Sequence, residues 1–187
     1  RKARFDTLCE TVFFVDDKHG WVGGNGAIFR TTDEGKTWKA TEVPGWIEHI
    51  QFLNPQKGWA VGRTVPKLSG GVILHTEDGG RNWRVQRDDI PQPLFYLYFH
   101  SPQKGWTTGR QIILRTEDGG RHWRRFKGVL GDSIIAVPFF LNELEGWLVG
   151  EGKVAHTSDG GNSWKPLETK GLPSDIRPWD VLFLNTR

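Results

Sequence analysis

Methionine is absent from this 187-residue chain, and cysteine occurs once, at Cys9. One cysteine excludes an internal disulfide framework and any site built from several thiolates; Cys9 reads as a small, partly buried apolar residue. Apolar runs are short. None approaches the ~20 residues of a membrane-spanning helix, and no hydrophobic segment of signal-peptide type stands at the start. Tyrosine is limited to two residues, and neither sign of charge dominates, because 25 Lys and Arg stand against 22 Asp and Glu for a formal net charge of +3. Such a balance lacks the concentrated stripe of a nucleic-acid binder and implies only a mild preference for acidic partners. No stretch shows sustained helical periodicity, so helical repeats are excluded. With Arg1 first and no methionine anywhere, the expectation is a mature form or an excerpt of a longer protein.

What is plentiful is glycine, phenylalanine and tryptophan, at 24, 11 and 10 residues, and these fall into a repeat. Gly-Trp pairs occur at Gly20-Trp21, Gly58-Trp59, Gly105-Trp106 and Gly146-Trp147, each six residues after a phenylalanine: Phe14, Phe52, Phe99 and Phe140. Each pair is followed by an eight-residue box: TTDEGKTW, TEDGGRNW, TEDGGRHW and TSDGGNSW. The box aspartates Asp33, Asp78, Asp118 and Asp159 are 45, 40 and 41 residues apart. Four repeats result, over about 9–45, 46–92, 93–133 and 134–176, and Phe183 in VLFLNTR opens a partial fifth over 177–187.

Within a repeat the pattern reads as four short strands bounded by Gly, Pro, Asn or Asp. A four-stranded unit of ~40–45 residues in series predicts an all-β chain, a β-propeller of antiparallel four-stranded blades. The box is then the corner between the third and fourth strands. Asp can accept backbone N–H bonds in such a turn, and Gly can take positive φ. Asp33, Gly35 and Trp38, with Asp78, Gly80 and Trp83, Asp118, Gly120 and Trp123, and Asp159, Gly161 and Trp164, are therefore read as structural. The two letters before the tryptophan, Lys36-Thr37, Arg81-Asn82, Arg121-His122 and Asn162-Ser163, read as ones the turn does not need.

The boxes match the Asp-box of BNR-type propellers. Together with the Gly-Trp-x-x-Gly strand, in GWAVG followed by ILRTEDGG, the chain resembles the photosystem II stability and assembly factor family over roughly residues 9–187. The resemblance implies a seven-bladed parent fold, a lumenal, periplasmic or extracellular location, and a non-catalytic scaffold whose arginine-rich patch holds a protein partner such as a membrane-protein assembly intermediate. Four repeats are fewer than seven blades, so an excerpt is expected, with five-bladed closure through residues 1–6 as the alternative.

Candidate binding residues lie in loops expected opposite the boxes and in the cationic position just before each box Thr. They are Arg30, Arg63, Arg84, Arg87, Arg110, Arg115 and Arg125, joined by Lys67, Lys127 and Lys153, and guanidinium groups suit carboxylate recognition. Residues before the box, Arg30, His75, Arg115 and His156, could equally bridge adjacent blades. Trp46, Leu94, Phe95 and Trp179 are apolar loop candidates. No cofactor or metal is expected, because the six histidines lack metal-ligand spacing. The alternative is a carbohydrate-active propeller, a hydrolase, sialidase-like or lectin-like module; Glu48, Asp132 and Asp180 are its carboxylates, although no spacing singles out a pair. Tyr96 and Tyr98 sit in a Phe-rich strand that reads as core.

Overall fold

The computed structural model describes residues 8–65, 69–126, 136–150 and 152–171, and among them are fourteen strands and no helix. Two compact units divide the chain, Arg1–Leu94 and Phe95–Arg187. The expected strand in residues 1–7, the partial fifth repeat at 177–187, and Lys67, Lys127, Asp132, Trp179 and Asp180 lie outside the described residues.

In the first unit, β1 (Cys9–Phe14), β2 (Gly20–Thr31), β3 (Lys39–Phe52), β4 (Gly58–Arg63), β5 (Gly71–Thr76) and β6 (Arg84–Ile90) form one antiparallel sheet in chain order. The repeat pattern predicts eight strands here, and six are found because two of them run through a corner. The first half of β2 pairs with β1 and its second half with β3. The change falls at Asn25-Gly26, where Gly26 takes φ of 74°; Asn-Gly suits such tight reversals. Likewise β3 pairs with β2 at its start and with β4 at its end, passing through Pro44-Gly45. The single sheet therefore holds two blades. Cys9, expected to be partly buried, is exposed on β1.

In the second unit the blades are separate sheets. β7 (Leu94–Phe99), β8 (Gly105–Gly109), β9 (Ile112–Thr116) and β10 (Arg124–Arg125) make the third blade, and β11 (Val137–Phe140), β12 (Gly146–Gly150), β13 (Lys153–Thr157) and β14 (Lys165–Leu167) make the fourth.

The six-residue spacing from Phe to Gly-Trp now has a cause. Phe14, Phe52 and Phe140 pair across the ladder with Gly20, Gly58 and Gly146, and each ring lies over its glycine. A Cβ at these glycines would stand 2.5 Å from ring carbons, and the same holds at 2.6 Å for Gly105 under Phe99. Any side chain there would displace the ring.

Blade faces pack through the tryptophan that follows. Trp21, 1% exposed, stacks on Phe52 of the second blade with centroids 3.4 Å apart and planes at 7°, amid Ile28, Ile47, Ile50 and Leu74. In the second unit Trp106 lies against Phe140 and meets Trp164 edge-on at 5.8 Å. Burial of each such side chain stabilises the fold by about 1.5–3 kcal/mol. Tyr96 is buried, and Tyr98 donates its hydroxyl to the Phe140 carbonyl at 2.7 Å, so both tyrosines serve the core.

Candidate functional site at the box ends of the blades

Each box is a closed hydrogen-bonded corner around a buried threonine. The hydroxyls of Thr31, Thr76, Thr116 and Thr157 donate to Oδ1 of the box aspartate at 2.8–2.9 Å. The N–H groups of Gly35, Gly80, Gly120 and Gly161 donate back to the threonine oxygen at 2.8–3.0 Å. The last letter before the tryptophan closes the other side. Thr37, Asn82, His122 and Ser163 each donate a backbone N–H to Oδ1 at 2.8–2.9 Å and bring a side-chain donor to Oδ2 at 2.6–2.7 Å. This corrects the sequence reading, which treated that letter as one the turn does not need. The position varies among Thr, Asn, His and Ser, but every choice carries a short donor.

These bonds act on the acid. Donation from the Thr37 hydroxyl, then from its N–H and from Thr31, holds Asp33 at about 2. Desolvation pushes Asp78 and Asp118 upward, but the combined donors of Asn82 with Thr76, and of His122 with Thr116, outweigh it and bring both to about 2. Asp159 is held lower still, first by the Ser163 hydroxyl. The four aspartates are thus held as anions inside the turn, with no proton to give as a general acid near neutral pH.

A second turn docks beside each box. Asp16, Asn54 and Asn142 cap the loop between the first two strands by accepting two N–H bonds each, and Ser101 accepts one from Lys104. The box then donates to that loop, with Gly79 to the Gln56 carbonyl, Gly119 to Gln103 and Gly160 to Leu144 at 2.8–2.9 Å. The short polar residue two positions after each phenylalanine was the unread sequence signal for this turn.

In the second, third and fourth repeats the cationic position before the box Thr stands across the ladder from the Gly-Trp indole. His75 lies 4.9 Å from Trp59, His156 4.9 Å from Trp147, and the Arg115 guanidinium 5.3 Å from Trp106. Arg115 also donates to the Gly161 carbonyl and to Asn162 Oδ1, at 3.2 and 2.8 Å, and to Glu117. It therefore bridges the third blade to the box of the fourth. Burial lowers His75 below the ordinary histidine range.

The seven candidate arginines do not gather at one end. Arg30, opposite Lys39, and Arg84, opposite His75, sit beside boxes, as does Arg115 opposite Arg124. For Arg84 this differs from the expectation of a loop opposite the boxes, because the fourth strand starts at the box tryptophan and its first residue stays at that end. Arg63 is at the far end of its strand, opposite Trp46, with Nε 2.5 Å from Glu48 Oε1. Burial raises the Glu48 carboxyl despite Arg63. Arg87 lies midway along β6 and pairs with Asp89 at 2.6 Å. Arg110 is exposed beside the Gln111 turn, and Arg125 donates to the Gln111 carbonyl at 2.9 Å. Leu94 is buried, so it offers no loop surface.

Two equivalent cavities flank the boxes. On the third blade one of about 410 Å³ is lined by Arg115, Asp118, His122, Arg124, Arg125 and Phe126, among others. On the second blade one of about 400 Å³ is lined by His75, Asp78, Asn82 and Arg84, among others. Arg124 was not among the sequence candidates; the run RHWRRFK was the signal. Among the described residues no group of three or more His, Cys, Asp or Glu is placed to hold a metal, and no helix is long and apolar enough to cross a membrane.

Antiparallel four-stranded blades with a Thr-Asp-Gly-Trp corner define an Asp-box protein of β-propeller type. The chain belongs to the photosynthesis system II assembly factor YCF48 family, whose model matches residues 3–89 and 86–182. It is similar to the photosystem II assembly lipoprotein Ycf48 of Synechococcus sp. (strain CC9902), with 30% identity over 79 residues. It is also similar to the chloroplastic photosystem II stability/assembly factor HCF136 of Cyanidioschyzon merolae (strain NIES-3377 / 10D), with 34% identity over 68 residues. The aligned stretches cover 38% and 34% of this chain, and 22% and 14% of those relatives' own lengths. Among solved structures, YCF48 bound to a D1 peptide superposes with a TM-score of 0.54 at 16% identity, over 86% of this chain and 80% of that one. A GH74 xyloglucanase from Xanthomonas campestris gives 0.71 at 15% identity, over 93% of this chain and 32% of that one. At such identities both likenesses show the fold alone.

Proposed function

We propose that the chain is a non-catalytic, protein-binding assembly scaffold that grips a membrane-protein partner in the thylakoid lumen or periplasm. Family membership supports the class, and the named relatives are an assembly lipoprotein and a chloroplastic factor. The observation that carries the reading is the cavity of the third blade, lined by Arg115, His122, Arg124, Arg125 and Phe126 together with Glu117 and Asp118; Arg115 and His122 already pair with those two acids, which leaves Arg124 and Arg125 as its cations toward a partner. Guanidinium groups beside a ring suit an acidic or carboxylate-ended peptide, through bidentate bonds and stacking. Arg30, Arg63, Arg84, Arg87 and Arg110 are the wider set of candidate contacts; Arg63 and Arg87 already pair with Glu48 and Asp89.

The carbohydrate-active alternative has less behind it. Its described carboxylate, Glu48, is tied to Arg63, and the glycoside hydrolases resemble this chain in fold only.

A D1-derived peptide is the probe, titrated against the whole chain by fluorescence anisotropy. Arg124→Glu with Arg125→Glu is expected to weaken binding by roughly tenfold or more, and Arg84→Glu by less, with affinity falling as salt rises. Absence of binding by the wild-type chain, or binding indifferent to the double reversal, would remove the cavity from the function.

A further inference from the structure

Three of the four boxes close on a side chain that does not titrate near neutral pH. Thr37, Asn82 and Ser163 bring a hydroxyl or amide donor to Oδ2 of their aspartates at 2.6–2.7 Å. The third blade uses an imidazole, with His122 Nδ1 2.6 Å from Asp118 Oδ2. Asp118 is an anion near neutral pH and can only accept, so Nδ1 carries the proton and the turn fixes the tautomer. Nε2 is left on the opposite edge of a side chain that is 82% exposed, and among the described residues no bond engages it. In the neutral ring that nitrogen is a lone pair; in the imidazolium it is an N–H donor. A free ring could flip to offer an N–H in either state, but this one is pinned by its bond to Asp118.

His122 stands in the wall of the third-blade cavity with Arg124 and Arg125. The other charges around it are engaged. Arg115 pairs with Glu117 and donates to the Gly161 carbonyl and Asn162 of the fourth-blade box, both uncharged. Asp118 is held by Thr116, and the turn that docks on the box through Gly119 and Gln103 carries Lys104. Of these side-chain types only an imidazole ordinarily changes charge between pH 5 and 8. The equivalent cavity of the second blade has the amide of Asn82 at the same place, and its His75 lies against Trp59, where burial favours the neutral ring.

We propose that His122 is a pH-dependent gate on the third-blade cavity: neutral, it presents a lone pair to an incoming carboxylate, and protonated it adds an N–H donor and a positive charge to those of Arg124 and Arg125. The inference rests on this cavity being the peptide site and adds its regulation. An anion bound beside the ring favours the imidazolium, so the complex takes up a proton and affinity rises as pH falls. On so exposed a side chain the gain is about two- to fivefold, the range of an exposed ion pair.

The same anisotropy titration tests it, with the D1-derived peptide made free of histidine and ionic strength held constant from pH 8 to 5.5. Ordinary carboxylates stay mostly ionised over that range. Wild-type affinity is expected to rise about two- to fivefold toward pH 5.5. His122→Asn copies the second blade, keeps a donor for Asp118, and flattens the rise whatever its affinity at pH 8; His122→Ser, copied from the fourth blade, stands in if circular dichroism shows the first variant unfolded. In the wild type, saturating peptide also moves the His122 ring titration followed by NMR to higher pH, by linkage. Binding that fails to strengthen in acid, binding that strengthens equally in the folded variant, or an unmoved ring titration overturns the gate and leaves the cavity as a peptide site. Absence of binding at every pH, or indifference to the Arg124→Glu, Arg125→Glu double reversal, removes the site and the gate together.

Discussion

The corner from Thr31 to Trp38 in the first blade has no roofing indole among the described residues, whereas the corner from Thr76 to Trp83 in the second is roofed by Trp21. Their internal bonds are nearly identical, with the threonine hydroxyl, the glycine N–H and the aspartate donors matching within about a tenth of an ångström. The turn therefore completes itself without a neighbour. What the roof changes is everything attached to the turn. In the open corner the Trp38 indole donates to its own Gly35 carbonyl, and in the roofed corner it is Trp21 that donates, to Gly79. The box is a local motif that creates a docking site, and the docking carries the blade-to-blade stability.

The largest way to break this comparison is to remove the roof. Trp21→Ala is expected to cost about 3–5 kcal/mol, the range for deleting a fully buried aromatic. Trp38→Ala, on a ring 38% exposed, should cost well under half of that. Urea unfolding of both variants at pH 7 gives the two numbers, and similar costs would mean that the roof adds nothing.

The next contrast compares equivalent glycines. Gly35 and Gly80 have φ of 82° and 81°, so alanine strains either by about 1–2 kcal/mol. A Cβ on Gly35 meets only the Trp38 ring at 3.6 Å, but on Gly80 it comes within 3.0 Å of the Trp21 indole nitrogen. Gly80→Ala should therefore be the costlier by about 1–2 kcal/mol, through overpacking under the roof. Equal melting-temperature losses in the two variants would show that Trp21 yields freely.

Acid should treat the two corners alike, because the donors that hold the aspartates are inside the turn. Asp33 and Asp78 both stand at about 2 when folded, against about 3.9 in an unfolded chain. Folded pKa values below unfolded ones stabilise the fold above pH ~4, and that contribution fades as pH falls through 2. Melting temperature should be flat from pH 7 to about 5 and drop below 4, and Asp78→Asn should flatten the drop. A Tm insensitive to acid in the wild type would remove these carboxylates from the stability of the fold.

How much of this was legible in the letters depends on how local the cause is. The repeat, the strand content, the corner role of Asp78 and Gly80, and the phenylalanine six residues before each glycine are all properties of one blade. The roofing of Gly80 by Trp21 crosses 59 residues of sequence and left no spacing to read. Asn82 and His122 were misread because a shared chemical property, a short side-chain donor, was hidden under four different residue types. Arg84 was misplaced by one strand length, since a residue just past the box tryptophan looks like loop sequence and is in fact the outer strand's first pairing position. The fusion of β2 and β3 through Asn25-Gly26 and Pro44-Gly45 reflects corners tight enough for pairing to continue, which residue composition alone does not distinguish from breaks.

The smallest contrast lies at Glu34, where the open corner departs from the glycine that the roofed one carries as Gly79. Glu34 takes φ of 65°, a left-handed conformation that costs a side-chain-bearing residue about 1–2 kcal/mol. Its N–H reaches the Lys18 carbonyl at 3.3 Å, against 2.8 Å from Gly79 to Gln56, so the first corner also sits more loosely on its neighbouring turn. Glu34→Gly relieves the backbone and lets the turn close. Against it stand the added freedom of the unfolded chain, about 0.4–1 kcal/mol, and the exposed Glu34–Lys36 pair, within 2.8 Å but worth at most about 1 kcal/mol. The balance favours the glycine by a few tenths of a kcal/mol, visible as a small rise in urea midpoint at unchanged slope. The reverse change, Gly79→Glu, must fail more heavily, because a Cβ there would stand 2.8 Å from the Pro55 carbonyl oxygen. If both substitutions cost the same, the two corners are interchangeable and the looseness of the first is incidental; if only the second is costly, the open corner tolerates glutamate because nothing is pressed against it.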